Sequence, residues 1–122
     1  MRKIFVNHTN HPSANWCAEQ KVAAEMFGEV IDVPFPAVPS NADEDEVAAL
    51  VETNLQEILK LSPNAVLCQG EFTYTYAMVD ELRRRNILVL AATSERVATE
   101  AIQADNTTKR VSIFQFVRFR RY

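Results

Sequence analysis

Asn7-His8-Thr9-Asn10-His11-Pro12-Ser13 gathers both histidines of the chain, two asparagines and two hydroxyls in one polar stretch. Imidazole changes charge near neutral pH, so His8 or His11 suits general acid–base work. If Pro12-Ser13 opens a helix, its unpaired backbone N–H groups attract an anion, and the Ser13 hydroxyl adds a donor. Asn and His also serve plain turns, but turn chemistry does not require both histidines in one loop. A His8–His11 metal pair lacks a cysteine or carboxylate at ligand spacing, so no metal is expected. Cys17 follows the loop without a partner that would orient a cysteine–histidine nucleophile.

Two other stretches hold comparable groups. The chain has two glycines. Gly28 reads as a helix cap. Gly70, in Gln69-Gly70-Glu71-Phe72-Thr73, falls where a strand crosses into a helix, where a missing side chain permits positive φ or close approach of a ligand. Glu71 gains from the dipole of that helix whether or not it does chemistry. Thr93-Ser94-Glu95-Arg96 supplies two hydroxyls, a carboxylate and a guanidinium. Arg96 suits a phosphate clamp; its plainer role is an ion pair with Glu95 or Glu100. There is no GxGxxG and no GxxxxGK[ST], so classical nucleotide loops are absent and no cofactor is expected.

These stretches need elements to hold them. Residues 3–7 read as a buried strand and 8–12 as a loop. Ser13 then caps a helix with Trp16, Gln20, Ala23 and Phe27 at helical spacing, ending at Gly28. Residues 29–35 form a second strand. Ser40 or Asn41 caps the next helix, whose buried stripe is Val47, Leu50, Val51, Leu55, Ile58 and Leu59. A strand at 65–69, a helix at about 73–85 and a strand at 87–92 follow. Residues 95–122 read as a hairpin about Asp105-Asn106-Thr107-Thr108. The expected fold is α/β, a Rossmann-like βαβαβαβ parallel sheet with a C-terminal β-hairpin. Ligands of such sheets sit beyond the carboxyl ends of the strands, where all three polar stretches fall.

The chain of 122 residues is 48% hydrophobic and 24% charged, which fits one globular domain and excludes a disordered chain or a disulfide miniprotein. No apolar run approaches membrane-spanning length. Cys17 and Cys68 read as reduced thiols of a cytoplasmic protein. All 16 acids precede residue 109, and the last 14 residues hold five of the 13 bases. An acidic body with a basic end argues either internal compensation or an anion site. The apolar run from Val111 to Phe119 is too large to stay wet, which predicts a homodimer. Nothing resembles a duplex nucleic-acid recognition motif.

The chain resembles small stand-alone CRISPR-associated proteins with a CARF-like, Rossmann-type fold, ring nucleases among them. The resemblance rests on Asn7-His8 with His11-Pro12-Ser13, on Gln69 to Thr73, on Ala92 to Arg96 and on Phe116-Val117-Arg118-Phe119-Arg120. It implies a single CARF-like domain over 1–122, with a core to about 94, forming a homodimer that binds cyclic oligoadenylate across its two-fold axis. Ring nucleases of this kind work without metal: a ribose 2′-hydroxyl attacks the adjacent phosphate. Read so, His8, His11 and Arg96 are the catalytic candidates. Asn10, Ser13, Gln69, Gly70, Glu71, Thr73, Thr93 and Ser94 are the ligand-binding ones. A sensor that binds the ring without cutting it, or an interaction protein using the basic hairpin, would keep the same fold.

Overall fold

A computed structural model describes residues 2–122. Its first strand, β1 (Ile4–Thr9), is buried along its whole length, so alternation assigns its residues to two cores. Ile4 and Val6 pack with Val47, Val51, Leu55 and Ile58 of α2 (Glu44–Lys60) and with Met78 and Leu82 of α3 (Phe72–Arg84). Phe5 turns the other way, onto Trp16, Leu67, Leu90, Phe119 and Ala24 of α1 (Ala18–Glu25). Each large aliphatic side chain buried in this way contributes about 1.5–3 kcal/mol.

The remaining strands are β2 (Glu29–Asp32), β3 (Ala65–Gln69), β4 (Leu88–Ile102) and β5 (Thr108–Arg121). The sheet order is β2-β1-β3-β4-β5. The first four are parallel and β5 runs antiparallel to β4. The expected alternation of strands and helices is present, but the sheet is mixed rather than parallel throughout. No helix among the described residues is long and apolar enough to cross a membrane.

Several expected boundaries shift for local reasons. β1 runs on through His8 and Thr9, because the polar residues from Asn7 onward find partners inside the fold. Residues 13–15 form a 3-10 turn without a Ser13 cap, and α1 starts only at Ala18. Trp16 lies between them with extended backbone, its ring buried against Phe5. Gly28 lies beyond the helix end and is needed because a Cβ would meet the Lys3–Ile4 backbone at 2.6–2.7 Å. α2 is capped by Asp43, not Ser40 or Asn41. Asp43 accepts from the Glu46 N–H at 2.8 Å, and the Glu46 carboxylate accepts from the Asp43 N–H in return, a capping box.

The hairpin is not a separate unit after the fourth strand. β4 pairs with β3 only over Leu88–Leu90, then continues with β5 alone to Ile102. The result is a two-stranded ribbon projecting past the sheet. A register shift at Thr93/Ser94 pairs Thr93 with Arg118 but Ser94 with Phe116, leaving Val117 as the extra residue of a bulge. The bulge resets the alternation, so Phe119 and Phe116 both turn toward the α1 side and pack together.

Phe35, in the chain after β2, packs on His8 and edge-on to Tyr74. Its ring occupies the space a Gly70 side chain would need, with ring atoms 2.3–2.6 Å from the Cβ position. Gly70 therefore serves close packing by Phe35. Gly70→Ala is expected to lower stability by about 1–3 kcal/mol in a denaturant titration. In a Phe35→Ala background the same substitution should cost much less. Equal costs in both backgrounds would rule out this contact as the reason for the glycine.

Candidate functional site

The strand order reverses at β1, which has β2 on one side and β3 on the other. In open α/β sheets that switch point is where crossovers leave in opposite directions and a crevice opens at the carboxyl ends. A cavity of about 550 Å³ lies there. Thr9, Asn10 and His11 come from the end of β1, Gln69 and Gly70 from the end of β3, and Ser94 from β4. Trp16, Phe114 and Phe116 form aromatic walls. Among the described residues, none lining it is a lysine, arginine, aspartate or glutamate.

The loop after β1 is shaped by a closed hydrogen-bond set. The buried Asn7 amide donates to the His11 carbonyl at 2.9 Å and to Asp32 Oδ1 at 3.0 Å. Thr9 donates to Asn7 Oδ1 at 2.8 Å and accepts from the His11 N–H at 3.1 Å. The Trp16 indole also donates to the His11 carbonyl, at 3.1 Å. Asp32 Oδ2 takes the Ser13 N–H at 3.1 Å. This backbone N–H is therefore engaged by a carboxylate, and Ser13 does not line the cavity.

The two histidines part company. His11 is exposed and lines the cavity. His8 is fully buried on the α2–α3 side. Its Nδ1 lies 2.7 Å from the Val33 carbonyl and its Nε2 2.7 Å from the Tyr74 hydroxyl. A carbonyl only accepts, so Nδ1 carries the proton and Nε2 accepts from Tyr74. Burial pulls the His8 pKa below 6.5, against the raising effect of the Val33 bond. Burial likewise holds the Tyr74 hydroxyl protonated and pushes the Cys68 thiol up to about 12. His8 and His11 cannot jointly hold a metal in this arrangement. Among the described residues no three histidine, cysteine or acidic side chains gather as a metal site.

The other candidates divide in the same way. Gln69 spends its amide on the backbone of Ala92, accepting at 2.9 Å and donating at 3.2 Å. It thereby extends the β3–β4 ladder with a side chain. Glu71 caps α3, accepting from the N–H groups of Thr73 and Tyr74 and from the Thr73 hydroxyl. The Thr73 hydroxyl and these N–H groups lower the Glu71 pKa. Thr93 donates to the Arg118 carbonyl at 3.0 Å. Arg96 is exposed on the ribbon, opposite Phe114 and one step beyond Ser94 on the same face. Neither Glu71, Thr73, Thr93 nor Arg96 lines the cavity.

The sequence did not place Asp32, Phe35, Phe114 or Phe116 at the site, although Phe114 and Phe116 stand in the apolar run of the hairpin. Asp32 carried a usable signal: it is a carboxylate at the carboxyl end of a strand next to β1. The two phenylalanines carried none, since only the bulge turns Phe116 to this side.

The pH response of the fold follows from His8. Unfolded His8 takes a proton near 6.5, folded His8 only at lower pH. Unfolding therefore takes up a proton between those values. Stability is full above 6.5 and falls as the pH drops below it, by at most about 1.4 kcal/mol per pH unit. Urea titrations at pH 7.5, 6 and 5 should show that fall (the pH values chosen to bracket about 6.5). In His8→Gln the slope over this interval should flatten, whatever the variant's absolute stability.

A protein-family model described as the uncharacterized protein MJ1673 family matches residues 3–120, and the chain belongs to that family. Among curated proteins nothing matches the chain.

Proposed function

We propose that this member of the MJ1673 family is a ring nuclease that opens a cyclic oligoadenylate without a metal ion. The observation that carries the reading is the switch-point cavity, with one exposed imidazole, amide and hydroxyl groups, and aromatic walls. Such walls suit base stacking, and His11 suits proton transfer to and from ribose oxygens. In the step itself a ribose 2′-oxygen bonds to the adjacent phosphorus while the bond from phosphorus to the 5′-oxygen breaks. His11 accepts the 2′-hydroxyl proton, and the 5′-oxygen gains a proton as it leaves. The products are linear and end in a 2′,3′-cyclic phosphate. The protein's contribution is to hold the attacking oxygen in line.

The reading includes a homodimer. A two-stranded ribbon is marginal alone in water, and this one exposes Ile102, Ile113 and Phe114. Pairing of Val97 with Ile113 places them, with Val111, on one ribbon face, which suits cover by a second copy. Arg96 stands on the opposite ribbon face, the one that carries Ser94 and Phe114 of this chain's own cavity. A sensor that binds without cutting is the second reading. It is favoured by the absence of a cationic side chain from the cavity lining among the described residues, since a developing phosphorane charge needs one.

Incubation with cyclic tri-, tetra- and hexa-adenylate in EDTA, with products read by mass spectrometry, tests the enzyme. Linear species ending in a cyclic phosphate are expected, slowed about 100-fold or more in His11→Ala. Intact rings with a raised melting temperature would leave the sensor; intact rings without a shift would refute both. Ile113→Asp is expected to turn a dimer into a monomer in light scattering at micromolar concentration. A wild-type monomer would remove the two-fold site from the reading.

A further inference from the structure

A second groove, of about 740 Å³, lies on the opposite side of Gln69-Gly70, between α3 and the end of β5. Phe72 and Tyr76 stand on its wall 89% and 78% exposed. Helix α3 has five buried residues to anchor it, so its packing does not need these two rings. Thr75 lines the same groove and is 8% exposed. Its hydroxyl has no hydrogen-bond partner among the described residues, an omission that buried polar groups rarely tolerate without a ligand or water.

Charge is distributed to match. Arg84 and Arg85 are held by Asp80 and Glu81. Asp80 and Arg83 both line the groove; the Asp80 carboxylate is taken by Arg84 at 3.0 Å, and Arg83 has no ion-pair partner among the described residues. Tyr122 forms the far wall, fixed by its hydroxyl donating to the Cys68 carbonyl at 2.6 Å. Alternation puts Arg118 and Arg120 on the same face of β5 as Tyr122. Unpaired guanidinium beside exposed aromatic rings is the combination that takes a nucleotide: rings stack on the base, and arginine takes the phosphate bidentately.

We propose that this groove is a nucleotide subsite, with a base stacked on Tyr76 or Phe72 and its phosphate on Arg83. Naming that nucleotide as one adenylate unit of the cyclic ligand rests on the function proposed above; the groove's chemistry does not. The two cavities share Gln69 and Gly70, so a ring lying over the end of β3 reaches both. The switch-point cavity then holds the reacting ribose, and the groove supplies the cationic grip that cavity lacks.

Adenosine 5′-monophosphate and cyclic tetra-adenylate are each titrated into isotope-labelled full-length protein, following amide resonances. Both should shift Phe72, Tyr76, Arg83 and Tyr122, and Tyr76→Ala or Arg83→Gln should weaken binding about tenfold. Tyr76→Phe should restore it, and the unliganded variants should melt like the wild type. If the monophosphate moves these resonances and the ring does not, the subsite stands and the ring-nuclease reading falls. If the ring binds but leaves them unmoved, or binds Tyr76→Ala as tightly as wild type, the subsite is overturned. So it is if millimolar monophosphate moves none of them, or if Tyr76→Ala dissociates a dimer, which would assign the rings to a second copy.

Discussion

The side-chain amide of Asn7 is buried at the end of β1 and can make all its hydrogen bonds only if β2 and the following loop close on it. One N–H needs Asp32, the other needs the His11 carbonyl, and the oxygen needs Thr9. An unmade bond at a buried amide costs about 1–3 kcal/mol. The set is therefore a geometric filter: it holds the loop in one conformation, with the His11 carbonyl inward and its imidazole at the cavity. The same Asp32 carboxylate ties down the Ser13 N–H. One buried amide thereby sets both the wall of the cavity and the entry toward α1.

One residue further along, the strand's alternation sends His8 to the other side, where it does the matching job in a drier setting. Its ring joins the chain after β2, through the Val33 carbonyl, to α3, through Tyr74. Phe35 closes over both rings and comes down on Gly70. A protonated imidazole could not accept from Tyr74, so this joint requires the neutral form. Asn7 and His8, adjacent in sequence, thus fasten the two layers on opposite faces of the sheet, and of the two histidines only His11 is left at the cavity.

That division explains what the sequence made legible. The buried strand at 65–69 and the stripe of α2 are readable because apolar spacing alone determines them. The three polar stretches come to one edge because strand direction carries them there, whatever their side chains do. What spacing could not separate was a polar group facing a cavity from one completing the scaffold. His8 continues the parity of Ile4 and Val6, which hinted at burial, yet its partners Val33 and Tyr74 are 25 and 66 residues away. Gln69 looked like a ligand reader, but the ladder it extends depends on where β4 lies. Arg96 looked like a loop clamp because the fourth strand seemed to stop at residue 92; nothing local announces that β4 runs through to Ile102.

The ribbon and the charge pattern belong to one problem. The body carries its acids on exposed faces, as with Asp43 to Glu46 at the start of α2, while the switch-point cavity is lined by neutral groups and one imidazole. A polyanion is held there only if cations come from outside that lining. Two neighbouring sources are Arg83 on the groove side of Gly70 and Arg96 on the ribbon face that carries Ser94 and Phe114. Both lie next to the cavity lining rather than in it. Phe114 and Phe116 belong both to the ribbon and to the cavity wall, so the bulge that sets their side also sets that wall. A ribbon that is marginal on its own thereby shapes the cavity through the residues the two share.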